Sequence, residues 1–236
     1  MRRAITLAVL LGIAIVFALA CGKKAEETYN PIIDAANFVA TIDNQYSPLT
    51  PGTTFIYQGQ KEGGTQRTEV YVSHQTKQIL GVTCIEVRDT VSVNGNLVEA
   101  TLDWYAQDKD GNVWYFGEDS KEYENGQVVS TAGSWQAGVD GAKPGITMEA
   151  NPKIGDSYRQ EYYKGEAEDM AEVLSLNESV SVSYGSLNNC LKTKDFTALE
   201  PSVVENKYYA PGVGVVLTIM VEGGSERSEL VDIETE

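Results

Sequence analysis

Two stretches of this chain, about a hundred residues apart, carry one pattern, and that repetition restricts the fold more than any other feature. The first is Asp103-Trp104-Tyr105-Ala106-Gln107-Asp108-Lys109-Asp110-Gly111-Asn112-Val113-Trp114-Tyr115-Phe116-Gly117. Leu102, Trp104 and Ala106 alternate with Asp103, Tyr105 and Gln107, the period of two of a half-buried strand. Residues 108–112 supply short carbonyl-bearing side chains and a glycine, which tolerate left-handed backbone and bond their own main chain. Residues 113–116 resume as β-branched and aromatic, so the whole reads as a hairpin with a long loop. In the second stretch Tyr208-Tyr209-Ala210 stands where Trp104-Tyr105-Ala106 stands in the first, and a glycine turn and a valine-led strand follow.

Working backwards, the resemblance continues. Cys84-Ile85-Glu86-Val87-Arg88-Asp89 matches Cys190-Leu191-Lys192-Thr193-Lys194-Asp195, and Glu69-Val70 matches Glu172-Val173. Pro51-Gly52-Thr53-Thr54-Phe55 matches Ile154-Gly155-Asp156-Ser157-Tyr158. A repeat this long is a multi-stranded unit and not one turn of a solenoid. Copy one is placed at 51–118, a linking segment at 119–153 and copy two at 154–236, together a single β domain at 51–236.

Strands are expected near 54–58, 67–74, 77–93 (bent at Gly81), 97–107 and 113–117. The second copy is expected to hold them near 158–163, 171–176, 179–184, 189–196, 203–209, 215–221 and 228–233. Asn94-Gly95 marks a tight hairpin. Such spacing predicts an all-β chain: an antiparallel curved sheet, half-barrel or sandwich built from two degenerate copies. Before it, apolar residues at helical spacing across 31–39 predict a short helix within a tether at 21–50.

The amino terminus speaks to location. Met1-Arg2-Arg3 and the apolar run 4–20 form a targeting segment ending in Leu19-Ala20-Cys21-Gly22. This resembles a bacterial lipoprotein signal, which implies that residues 1–20 are a signal peptide and that Cys21 is lipidated (palmitate among the acyl groups) and anchors the chain to a membrane. Without the signal, 16 basic residues face 34 acidic ones. That surface repels nucleic acid.

Cys84 and Cys190 then remain, at matching points of the two copies, and the sequence leaves open whether they form a disulfide. His74 is the only histidine and lies mid-strand with no motif around it, so no catalytic residue is expected and the protein is read as no enzyme. No phosphate loop, dinucleotide fingerprint or zinc spacing is present, and no cofactor is expected. Asp108, Asp110 and Asn112 resemble half a calcium loop, although a hairpin turn explains the same residues. Calcium stabilisation and, below it, a carboxylate-based hydrolase are the alternatives.

Aromatic residues are abundant, and adjacent pairs such as Tyr162-Tyr163 cannot share a face. Either the second face is covered by the linking segment, a partner or a ligand, or the surplus serves rim packing and cross-strand aromatic pairs. Trp104, Trp114, Trp135, Tyr162 and Tyr208 are the candidate ligand face. Residues 42–52, 103–118 and 208–214 look like a family of uncharacterised bacterial exported lipoproteins. More loosely, the architecture resembles the curved sheets of the Lol-type lipoprotein carriers, which implies a hydrophobic ligand. The expectation is a non-enzymatic binding or scaffold lipoprotein in the cell envelope, with a hydrophobic ligand or envelope protein as partner.

Overall fold

The structure, a computed structural model, describes residues 29–61 and 64–236. The signal at 1–20, Cys21 and the tether up to residue 28 lie outside these residues. Thirteen strands form the main path of one sixteen-stranded antiparallel sheet. They are β1 (Thr53–Lys61), β2 (Gly64–Ile79), β3 (Val82–Val93), β4 (Asn96–Asp108), β5 (Val113–Glu124), β6 (Lys143–Met148), β7 (Ser157–Arg159), β8 (Glu161–Tyr162), β9 (Asp169–Val182), β10 (Gly185–Thr197), β11 (Val204–Ala210), β12 (Gly214–Glu222) and β13 (Arg227–Thr235).

The spatial order is β7-β9-β10-β11-β12-β13-β1-β2-β3-β4-β5-β6-β8. Its two ends, β7 and β8, are consecutive pieces of one chain segment separated only by Gln160. The sheet therefore curls into a nearly closed barrel, which leaves little open edge to pair with other chains. At this seam β6 crosses under the segment, and a Cβ on Gly145 would stand 2.4 Å from the Gln160 carbonyl carbon. Glycine is what the crossing requires.

Corresponding strands of the two halves share their pairing. Gly52 donates to the Val72 carbonyl and Gly155 to the Val173 carbonyl, at 2.8 and 2.9 Å. Val72 pairs with Val87 and Val173 with Thr193. Val87 pairs with Asp103, and Thr193 with Lys207. Ile85 pairs with Tyr105, as Leu191 does with Tyr209. Each half adds a sixth strand, β6 or β13, that joins it to the first strand of the other half.

The structure departs from the sequence expectations in several places: the strands expected at 171–176 and 179–184 are the single strand β9, and the one expected at 158–163 is split into β7 and β8. The helix expected across 31–39 is a three-residue 3-10 turn, Ala35–Asn37, capped by Asp34. Phe38 and Val39 are instead drawn into pairing with Asp108 and Gln107 of β4, where Phe38 packs against Trp114 and Phe116. The strand expected at 77–93 is two strands, because Leu80 and Gly81 both adopt positive φ, 52° and 80°, and turn the chain back. The linking segment at 119–153 is largely wall: β5 runs through to Glu124, Gln127–Ser130 and Trp135–Gln136 pair beside it, and β6 follows.

Two apolar clusters hold the molecule. The larger lies among both halves and includes Phe55, Val72, Val87, Met148, Val173, Leu191, Tyr209 and Leu230. The smaller joins Ile79, Cys84, Trp104, Phe116 and Trp135 beneath the linking segment and Ile33. A small hairpin, Asp43–Asn44 with Ser47–Pro48, closes one end of the barrel, sending Ile42, Tyr46 and Leu49 into the larger cluster. It is tied to three loops. Asn44 Nδ2 donates to the Gly111 and Glu149 carbonyls, Gly212 donates to the Gln45 carbonyl, and the Gln107 carbonyl oxygen accepts from the Asp43 and Asn44 amides.

Candidate functional site

The alternation that buries Val72, Val87 and Tyr105 sends Asp89 and Asp103 to the same, inner face of the sheet. These side chains border a cavity of about 360 Å³ in the barrel. Its apolar wall is Phe55, Val70, Val87, Val213 and Val215, and its polar groups include Tyr57, Thr68, Asp89, Asp103, Gln160 and Lys207. Leu49 and Pro48 of the end hairpin form its floor. Tyr57 spans the barrel, its hydroxyl donating to the Val215 carbonyl at 3.1 Å.

Charge inside the barrel is unevenly shared. Lys207 lies 2.9 Å from Asp195. Burial pulls its ammonium towards neutrality, but Asp195 and Tyr209 outweigh that and hold its pKa well above the usual lysine value. Lys207 also borders a second hollow, lined by Glu118, Glu161, Asp169 and Asp195.

The other half carries carboxyls without such a cation. Burial, then the charges of Asp103 and Glu99, push Asp89 up to about 8. Burial pushes Asp103 up to about 7 against the hydrogen bond from Tyr115, whose hydroxyl lies 2.5 Å from Oδ1. Glu118 is raised to about 8 by burial and then by Asp103 and Glu161. Across the seam, in the half that holds Lys207, Glu161 is raised to about 7 by burial and Asp169, although the Trp135 indole donates to its Oε2 at 3.0 Å and Lys207 pulls the other way. Near neutral pH these groups share protons, and each neutral carboxyl is a hydrogen-bond donor as well as an acceptor.

The five candidate aromatics go to different places, and none of them borders the cavity. Trp135 comes nearest: its ring meets Tyr115 edge-on at 5.3 Å, and Tyr115 stacks at 4.8 Å on Tyr105, which does border it. Trp104 lies in the smaller cluster with Lys77 over its ring. Trp114 donates to Asp108 and packs against Phe38. Tyr162 packs with Tyr29, Arg159 and Lys143, and Tyr208 lies beside Lys192. The cavity aromatics are Phe55, Tyr57, Tyr105 and Tyr209. Tyr105 and Tyr209 hold matching positions in the repeated stretches, and that was the signal for them.

The remaining candidates are placed as follows. Asp108 accepts from the Asn112 amide, the Asn112 side chain and the Trp114 indole, so both its oxygens serve the turn, while Asp110 is exposed. Among the described residues no group of three or more His, Cys, Asp or Glu is arranged to hold a metal ion. Cys84 and Cys190 are both free and buried, one in each apolar cluster. Burial pushes the Cys84 thiol up to about 12. His74 is exposed, 3.2 Å from Glu236.

No protein-family description and no curated protein matches the chain. Two solved structures are similar. One is a Bacteroides fragilis protein described as exported and YmcC-like in fold; it is 14% identical, with a TM-score of 0.48 over 81% of this chain and 100% of that one. The other is a Parabacteroides distasonis protein described as a lipoprotein, 12% identical, with a TM-score of 0.45 over 81% of this chain and 99% of that one.

Proposed function

We propose that this chain is an exported, lipid-anchored, non-enzymatic binding protein that holds a small amphipathic ligand inside its barrel. The observation that carries the reading is the cavity of about 360 Å³, whose wall combines Phe55, Val70 and Val87 with a few polar side chains. That size and mixture are typical of small-molecule sites, where apolar surface supplies affinity and sparse polar groups set orientation. The Leu19-Ala20-Cys21 motif supports lipid anchoring. The repeated pairing of the halves supports an internal duplication, which would place the cavity between two copies of one unit.

The test is uptake of N-phenyl-1-naphthylamine, a neutral apolar fluorophore, by the full chain in lipid nanodiscs, with empty nanodiscs as blank. Saturable uptake at one probe per chain is expected, and Val70→Trp, which fills the cavity, should abolish it. Uptake that is absent, or unchanged in that variant, would remove the reading.

A further inference from the structure

We infer that the cavity selects ligands carrying a cationic nitrogen, because the Asp89 carboxyl borders it, with one oxygen buried and unpartnered behind that wall, in a half-barrel whose counterpart carries its own lysine. The inference rests on the binding reading above. Asp89 borders the cavity, and its Oδ1 is buried with no hydrogen-bond partner among the described residues. A buried carboxylate oxygen left unpaired is costly, so such an atom needs a proton or a cation.

Comparison of the halves shows what is missing. Asp195 stands two residues beyond Thr193 on β10, and Thr193 pairs with Lys207, which reaches Asp195 at 2.9 Å. Asp89 stands two residues beyond Val87 on β3, and Val87 pairs with Asp103. Where one half has an aspartate and a lysine, the other has two aspartates. Lys207 is the one cation on the cavity wall, and it is taken by Asp195. The nearby arginines of β2 and β3 are occupied elsewhere, Arg67 with Glu69 and Arg88 with Glu86.

The groups facing Asp89 from the packed elements are Asp103, Glu99 and Tyr105 on β4 and Tyr57 on β1. None of them is cationic. An ammonium or guanidinium entering the cavity would replace the proton on Asp89 and pair with it, while the apolar remainder of the ligand meets Phe55, Val70 and Val215.

The experiment compares three probes with one tail and different heads: 2-phenylethylamine, 2-phenylethanol and 3-phenylpropanoate. Each is titrated calorimetrically into the full chain in nanodiscs, at a pH above the Asp89 value of about 8. The amine should bind about tenfold or more tighter than the alcohol, as a charge-assisted pair warrants, and the carboxylate weakest. Asp89→Asn should remove the preference for the amine over the alcohol. Lowering the pH below 7 should weaken the amine alone. Equal binding of amine and alcohol, a preference that survives Asp89→Asn, or binding of none of the three overturns the inference. Uptake of N-phenyl-1-naphthylamine then decides whether the binding reading falls with it.

Discussion

Burial alone would strip Lys207 of its proton, and what keeps it charged is the Asp195 carboxylate 2.9 Å away. Asp89, Asp103 and Glu118 have no such cation, and with Glu161 are raised to between about 7 and about 8. This has a consequence for stability. A carboxyl whose pKa is higher in the folded than in the unfolded chain binds its proton more tightly when folded. Its contribution is therefore complete below the unfolded carboxyl range and is lost as pH rises through the folded value. Urea unfolding should show stability falling between pH 5 and 8.5 by on the order of 2–4 kcal/mol, and Asp89→Asn should flatten that slope. Stability that rises over the same interval would show these carboxyls to be ionised and paired in the fold. The alternation around Trp104 separated the two faces of β4 in the sequence, but not which of them lines the barrel: that face carries Asp103 and Tyr105. Nor did the alternation reveal that Asp103 and Lys207 are structural counterparts, because a matched pair of opposite charge does not look like a repeat.

At the scale of elements, the barrel depends on how few residues make its seam. β6 pairs with β8 through Lys143 and Pro144 and with β5 through Gly145 and Ile146, so adjacent residues of one strand serve two neighbours. Gly145→Ala would place a methyl against the Gln160 backbone, which cannot move without disturbing its 2.8 Å bond to the Asp169 carbonyl. We expect a loss of about 2–3 kcal/mol in chemical denaturation, and a loss under 0.5 kcal/mol would mean that the seam is looser than described. Hairpins with strong local chemistry were readable in advance. Asn94-Gly95 turns with both residues at positive φ, and the 108–112 loop is held by Asp108. The turn at Leu80-Gly81 was readable only as a bend at Gly81, since leucine rarely adopts the positive φ that turns the chain fully back. The expected helix failed for a related reason: pairing of Phe38 with Asp108 and packing on Phe116 outweigh a weak helical pattern.

For the whole molecule, the all-β class was legible because strand period and turn residues are local signals. The closure of the sheet was not, since it rests on pairings between residues far apart, such as Ser157 with Glu172 and Lys143 with Tyr162. The aromatics expected to form a ligand face do not border the cavity, for the same reason. Bulky aromatics such as Trp104 and Trp114 fill the layer outside the sheet beneath the amino-terminal segment and the linking segment, while Tyr57, Tyr105 and Tyr209 face the interior. Closure turns the inner face into a bounded space, and the hairpin at 43–48 shuts one end of it. The central claim is that this space is occupied in the cell envelope. Native mass spectrometry of the full chain, extracted from its own membrane, measures that directly. The account predicts a bound small-molecule mass that leaves on denaturation and is missing from Val70→Trp. A protein that arrives empty, or a variant that carries the same mass as the wild type, would contradict it.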